Sequence, residues 1–163
     1  MATAELLIPQ YVGSMSRGES SIANFTEKQY GNGLQELQDS YVLGQKAKGS
    51  FNELASVWEE CMNPNWDGYG ALPVSIDSVA FAFRLLQALP LTTPAPSIAA
   101  EPDGHINLEW YVSPRHTLSV SVGSEGQLHF SALIGGGTQY GSEPFYGEMP
   151  QSIRDLIYRI SVA

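Results

Sequence analysis

His105, Glu109 and His129 are the residues of this chain best suited by type to hold a metal ion or move a proton. Their spacing argues against a joint role. His105 and Glu109 stand four positions apart in a strand-like segment, about 13–14 Å at the rise of a β-strand. With the apolar residues of each strand on one side, His129 opposes Ser121 and Ser121 opposes Asn107. That puts His129 two strands away, about 9–10 Å to the side. Metal bonds of about 2 Å cannot join these three. A Ser/His/Asp hydrolase built on His116 and Asp67 lacks a Gly-x-Ser-x-Gly elbow, and its serines fall on strands or near the N-terminus. Gly135-Gly136-Gly137-Thr138 has no Lys-Ser/Thr leading into a helix, and Gly123-x-x-Gly126 reads as a hairpin turn. No cofactor motif and no metal-ligand set is legible.

The densest cluster of unusual residues is Pro64-Asn65-Trp66-Asp67-Gly68-Tyr69-Gly70-Ala71, between two helix-like segments. Gly68 and Gly70 allow a tightly folded backbone. Asp67 is suited to cap local N–H groups, and Trp66 and Tyr69 are residue types that anchor interfaces. The loop has two readings, a folded connection that buries Trp66 and a recognition loop.

Composition narrows the partner. Of 163 residues, 17 are acidic and 8 basic, for a net charge of −9. Such a surface repels nucleic acid and anionic membrane and suits a basic protein, including one that itself binds nucleic acid. Lys28, Lys46 and Lys48 all lie in the N-terminal 49 residues, so the basic–aromatic interleaving of a single-strand binder is missing. One cysteine, Cys61, excludes an internal disulfide and a Cys-based zinc site, and it reads as a small buried hydrophobe. No apolar run approaches a membrane span and no signal peptide is legible, so a cytoplasmic location is expected.

The elements that must position these residues follow from periodicity. Residues 1–49 are rich in Ser and Gly and read as an arm. Its Leu34, Leu37 and Tyr41 are spaced like a short helix ending near Gly44. Tyr11, Phe25, Tyr30 and Tyr41 suggest that the arm docks on the domain or on another subunit. Residues 50–163 form the domain. Ser50-Phe51-Asn52-Glu53 reads as a capping box opening a helix that Pro64 closes. Ser75 caps a second helix running toward Pro90, and a stiff linker follows over 90–97. Turns at Pro102-Asp103-Gly104, Ser113-Pro114-Arg115 and Ser124-Glu125-Gly126 separate alternating strands. Leu108 should oppose Val120, and Val120 should oppose Phe130, because a one-residue slip would expose the apolar set. Gly135-Gly136-Gly137 is expected to end the sheet, and Ile153, Leu156, Ile157 and Ile160 mark a closing helix. The expected class is α+β, an antiparallel β-meander of three to five strands with helices on one face.

Several of these segments carry a resemblance. Asn65-Trp66-Asp67-Gly68-Tyr69-Gly70-Ala71, Pro102-Asp103-Gly104, Leu108-Glu109-Trp110-Tyr111, Ser119-Val120-Ser121-Val122-Gly123 and Gly141-Ser142-Glu143-Pro144-Phe145 stand in this order. Together they resemble a widespread group of small proteins of bacteria and their mobile elements, over roughly residues 60–160. The resemblance implies a shared fold and no mechanism.

The expected function is that of a non-enzymatic acidic binding protein, an inhibitor, antitoxin or immunity-type partner of a basic protein. Its binding residues would be Trp66, Asp67, Tyr69, Glu109 and His129. One alternative is a small-molecule enzyme of unfamiliar type using Asp67, Glu109, His116 and Glu143. Another is a structural subunit that assembles as a homo-oligomer through residues 1–49.

Overall fold

The computed structural model describes residues 41–162, which lie within one compact unit, Ser40–Ala163. Helix α1 spans Tyr41–Cys61 and α2 spans Ile76–Gln87. Five strands follow: β1 Ser97–Ala100, β2 Ile106–Ser113, β3 His116–Val122, β4 Gln127–Ile134 and β5 Gly137–Pro144. Helix α3, Gln151–Ser161, closes the chain. The strands stand in sequence order and every neighbouring pair is antiparallel. This is the expected α+β meander, at five strands. No helix of the described residues is long and apolar enough to cross a membrane.

Alternation in β2, β3 and β4 builds the core. Ile106, Leu108, Trp110, Leu118, Val120, Val122 and Leu128 are buried on one face, with Leu108 opposite Val120 and Val120 opposite Phe130. Helix α3 packs on these three strands and buries Ile153, Leu156, Ile157 and Ile160. Ser75 caps α2, its Oγ accepting the Ser78 N–H at 3.0 Å.

Helix α1 corrects the expected capping box. The helix runs unbroken from Tyr41 through Gly44 and Gly49, and Ser50 is buried inside it rather than at its start. A glycine inside a helix costs about 1 kcal/mol and does not stop one whose neighbours find tertiary contacts. Phe51 supplies such a contact, its ring 4.6 Å from that of Phe83. Glu53, freed from capping, accepts the Ile98 N–H at 2.9 Å and so occupies a donor on the outer edge of the sheet. The compact unit thus begins before residue 50. Tyr11, Phe25, Tyr30, Leu34 and Leu37, with the docking and assembly expected of the arm, lie outside the described residues.

Gly135 does not end the sheet. With φ 63° it turns the chain between Ile134 and Gly137, and β5 follows as an edge strand. The Phe130 ring covers Gly141 of β5, where a Cβ would stand 2.8 Å from it.

Cys61 is buried at the end of α1. Burial first, and then the neighbouring Glu60 carboxylate, push its thiol pKa up. Alkylation by iodoacetamide at pH 8 should therefore be slow in the native protein and fast in urea. Rapid native labelling, followed by mass spectrometry, would contradict this.

Candidate functional site

The connection between α1 and α2 is held almost entirely by its own polar groups. Asn65, at φ 63°, donates its N–H to the Ala71 carbonyl at 2.8 Å, and its Oδ1 accepts the Gly70 N–H at 2.7 Å. Asp67 Oδ1 accepts the N–H groups of Tyr69 at 2.8 Å and Ala71 at 3.0 Å. Gly68 and Gly70 take φ of 77° and 96°, values that side-chain-bearing residues rarely adopt. Half-buried Trp66 donates Nε1–H to the Leu72 carbonyl at 3.0 Å. The loop is a closed, hydrogen-bonded unit, and at its tip Tyr69 is 95% exposed. Met62 and Leu72 of the same connection are 45% and 58% exposed.

The N–H groups of Tyr69 and, next, Ala71 hold the Asp67 carboxyl below the usual carboxylate range. The ionised form is favoured in the folded loop, so its contribution is present above the unfolded value, near 3.8. It is lost as pH falls through the lowered folded value. The amide shifts of Tyr69, Gly70 and Ala71 should hold steady down to pH 4 and move together below it. Asp67→Asn, which keeps an oxygen acceptor, should remove that acid transition while preserving the loop, and Asp67→Ala should disorder it at neutral pH.

The loop is joined to the turn between β1 and β2. Leu72 donates its N–H to the Pro102 carbonyl at 2.8 Å, and Gly104 (φ 89°) lies where a Cβ would meet the Pro73 carbonyl oxygen at 2.8 Å. At this turn Glu101, Asp103 and His105 bring their ligating atoms within 4.8 Å of one another. The acidic members of this group escaped the strand arithmetic because a tight turn, not a strand, sets their spacing. The His105 ring also lies parallel to that of His129, with centroids 6.3 Å apart and planes 3° apart. Reading His105 as an extension of β2 overestimated this separation, because the residue precedes the strand.

The remaining expected residues disperse. Glu109 sits on the open sheet face, flanked by Ser97 and Ser119. His129 is exposed on that face, its Nδ1 2.5 Å from Ser142 Oγ. His116 pairs with Ser113 at the β2–β3 turn, 3.0 Å from its hydroxyl. Glu143 stands opposite Leu128, whose side chain is in the core, and accepts the Ser152 hydroxyl at 2.5 Å. Glu109 and Glu143 therefore lie on opposite faces of the sheet. An open groove of about 510 Å³ lies between β5 and α3, lined by Phe130, Gln139, Tyr140, Asp155 and Arg159 among others. It contains none of the four residues of the enzyme reading. No protein-family profile, curated protein or solved structure matches this chain.

Proposed function

We propose that this protein is a non-enzymatic binding protein whose recognition element is the 64–72 loop, and that its partner is a basic protein. The observation that carries the reading is Tyr69, almost wholly exposed on a backbone held by hydrogen bonds. An ordered backbone has little conformational freedom left to lose on binding, so only the side chain must be immobilised, and tyrosine is among the residues that dominate interface energies. Trp66 braces the loop through its bond to Leu72, so Tyr69 is the side chain that reaches a partner. Asp67 orders the tip. Glu109 and His129 lie on the open sheet face and widen the polar surface there.

Charge supports the sign of the partner. Between residues 49 and 83 the chain carries Glu53, Glu59, Glu60, Asp67 and Asp77 and no Lys or Arg. An acidic segment without Lys or Arg on either side of an aromatic tip speeds association with a basic surface and rejects an acidic one. The class of function is that of an inhibitor, antitoxin or immunity-type partner acting in the cytoplasm, where it occupies a basic site on its target.

The test is affinity capture of the tagged chain from its native host, salt elution and mass spectrometry of the eluate. A single stoichiometric basic protein, released by salt and not captured by the Tyr69→Ala variant, is expected. A partnerless protein, or capture unaffected by that substitution, would overturn the assignment.

A further inference from the structure

We propose that Glu101, Asp103 and His105 form a binding site for a divalent transition-metal ion of the Zn²⁺ class. The inference does not rest on the partner-binding reading, because neither Tyr69 nor any other loop side chain is a ligand.

The donor set is mixed, one imidazole nitrogen and two carboxylate oxygens, all within 4.8 Å of one another. Bonds of about 2.1 Å place donors about 3.4 Å apart in a tetrahedral site. Closing the remaining gap needs a small rotation of side chains: Asp103 is 60% exposed, and its Oδ1 accepts the His105 N–H at 3.1 Å, which leaves Oδ2 to face the ion. His105 already presents the right nitrogen. Its Nδ1 lies 3.5 Å from Asp103 Oδ2 and 3.2 Å from Ser121 Oγ. Its Nε2 faces Gly123, where a Cβ would stand 2.8 Å away. The absent side chain at 123 lets the ring lie against the end of β3 with Nδ1 toward the carboxylates.

The supporting groups suit a ligand set. Ser121 donates its hydroxyl to Glu101 Oε2 at 2.5 Å, which orients that carboxylate as outer-sphere partners orient metal ligands. The turn is closed by Glu101 N–H to the His105 carbonyl at 2.9 Å and Gly104 N–H to the Glu101 carbonyl at 3.0 Å. Among the described residues neither carboxylate has a Lys or Arg partner; the nitrogen nearest Asp103 Oδ2 is His105 Nδ1, at 3.5 Å. Two adjacent carboxylates in a chain of net charge −9 therefore have their repulsion relieved by a bound cation. The imidazole nitrogen sets the class, since Mg²⁺ and Ca²⁺ prefer all-oxygen sites whereas Zn²⁺ accepts nitrogen and oxygen together. Three protein donors leave further positions for water.

The experiment is isothermal titration of the full chain with ZnCl₂ at pH 7.5, with ¹H–¹⁵N spectra of the imidazoles recorded alongside. One-to-one saturable binding is expected, with the His105 Nδ1 resonance shifting most. Glu101→Gln and Asp103→Asn should each weaken binding at least about tenfold, the loss seen even for outer-sphere partners, and His105→Gln should abolish it. Both carboxamides keep an oxygen acceptor for Ser121 or the His105 N–H, so the turn should survive in those variants. Exposed His129 is the control, and His129→Gln should bind within about twofold of the wild type, since His129 is not among the three ligands. No saturable binding at millimolar ion, retention of affinity in both carboxamide variants, equal affinity for Mg²⁺, or a shift at His116 or His129 in place of His105 would each overturn the site.

Discussion

Trp110→Ala is expected to remove about 3–5 kcal/mol of folding free energy, the range seen when a buried aromatic is truncated in a core. Trp110 is 3% exposed and stands opposite Leu118 in the register of β2 and β3. Its Nε1–H donates to the Pro94 carbonyl at 2.8 Å, so the side chain also fastens the proline-rich linker to the sheet. Two losses are therefore combined in the alanine variant, and Trp110→Phe separates them. Phenylalanine refills most of the volume but leaves the Pro94 carbonyl without its donor, at a cost of about 1–3 kcal/mol. Urea unfolding followed by far-UV circular dichroism measures both. Domains have total stabilities of about 5–15 kcal/mol, so the alanine variant loses a large fraction of the total and its urea midpoint should fall accordingly. An unchanged midpoint for Trp110→Ala would mean that the core does not depend on this residue.

Tyr69→Ala should do the reverse, leaving stability within about 0.5 kcal/mol and weakening partner binding by about thirtyfold, the effect of losing a side chain worth about 2 kcal/mol at an interface. The separation is the point. Tyr69 contributes its backbone N–H to the Asp67 carboxylate, and alanine retains that N–H, so the loop keeps its shape. Trp66→Ala is the informative companion. It removes the Nε1–H bond to Leu72 and the brace of the loop, so it should lower both affinity and stability. Equal loss of stability in the two variants would mean that Tyr69 is structural. Normal affinity in Tyr69→Ala would place recognition elsewhere on the surface.

The contrast between these two residues was only partly legible beforehand. Trp66, Asp67 and Tyr69 stood out by type, and Asp67 was open to a capping role because a short carboxylate reaches nearby N–H groups. Which aromatic braces and which projects depends on backbone angles at Asn65, Gly68 and Gly70, and the glycines permit many such angles. The Ser50 capping box misled for a related reason. Its four residues match the motif, but tertiary burial of Ser50 and Phe51 carries the helix past them toward the N-terminus.

The amino-acid sequence by itself determined the fold class, the core face and the register of β2, β3 and β4. Side chains alternate with a period of two in a strand, and an apolar set on one face tolerates no slip. It also determined α3, whose apolar residues recur at helical spacing. Tertiary structure alone decided β5, whose run Gly-Thr-Gln-Tyr-Gly-Ser-Glu-Pro lacks apolar alternation and is held by backbone pairing to β4. It decided, too, the meeting of Glu101, Asp103 and His105 beneath the Trp66 loop. Periodicity records which face of an element is buried. The approach of the β1–β2 turn to the end of the neighbouring β3, with Gly123 clearing the space for the His105 imidazole, depends on how the strands pair in three dimensions.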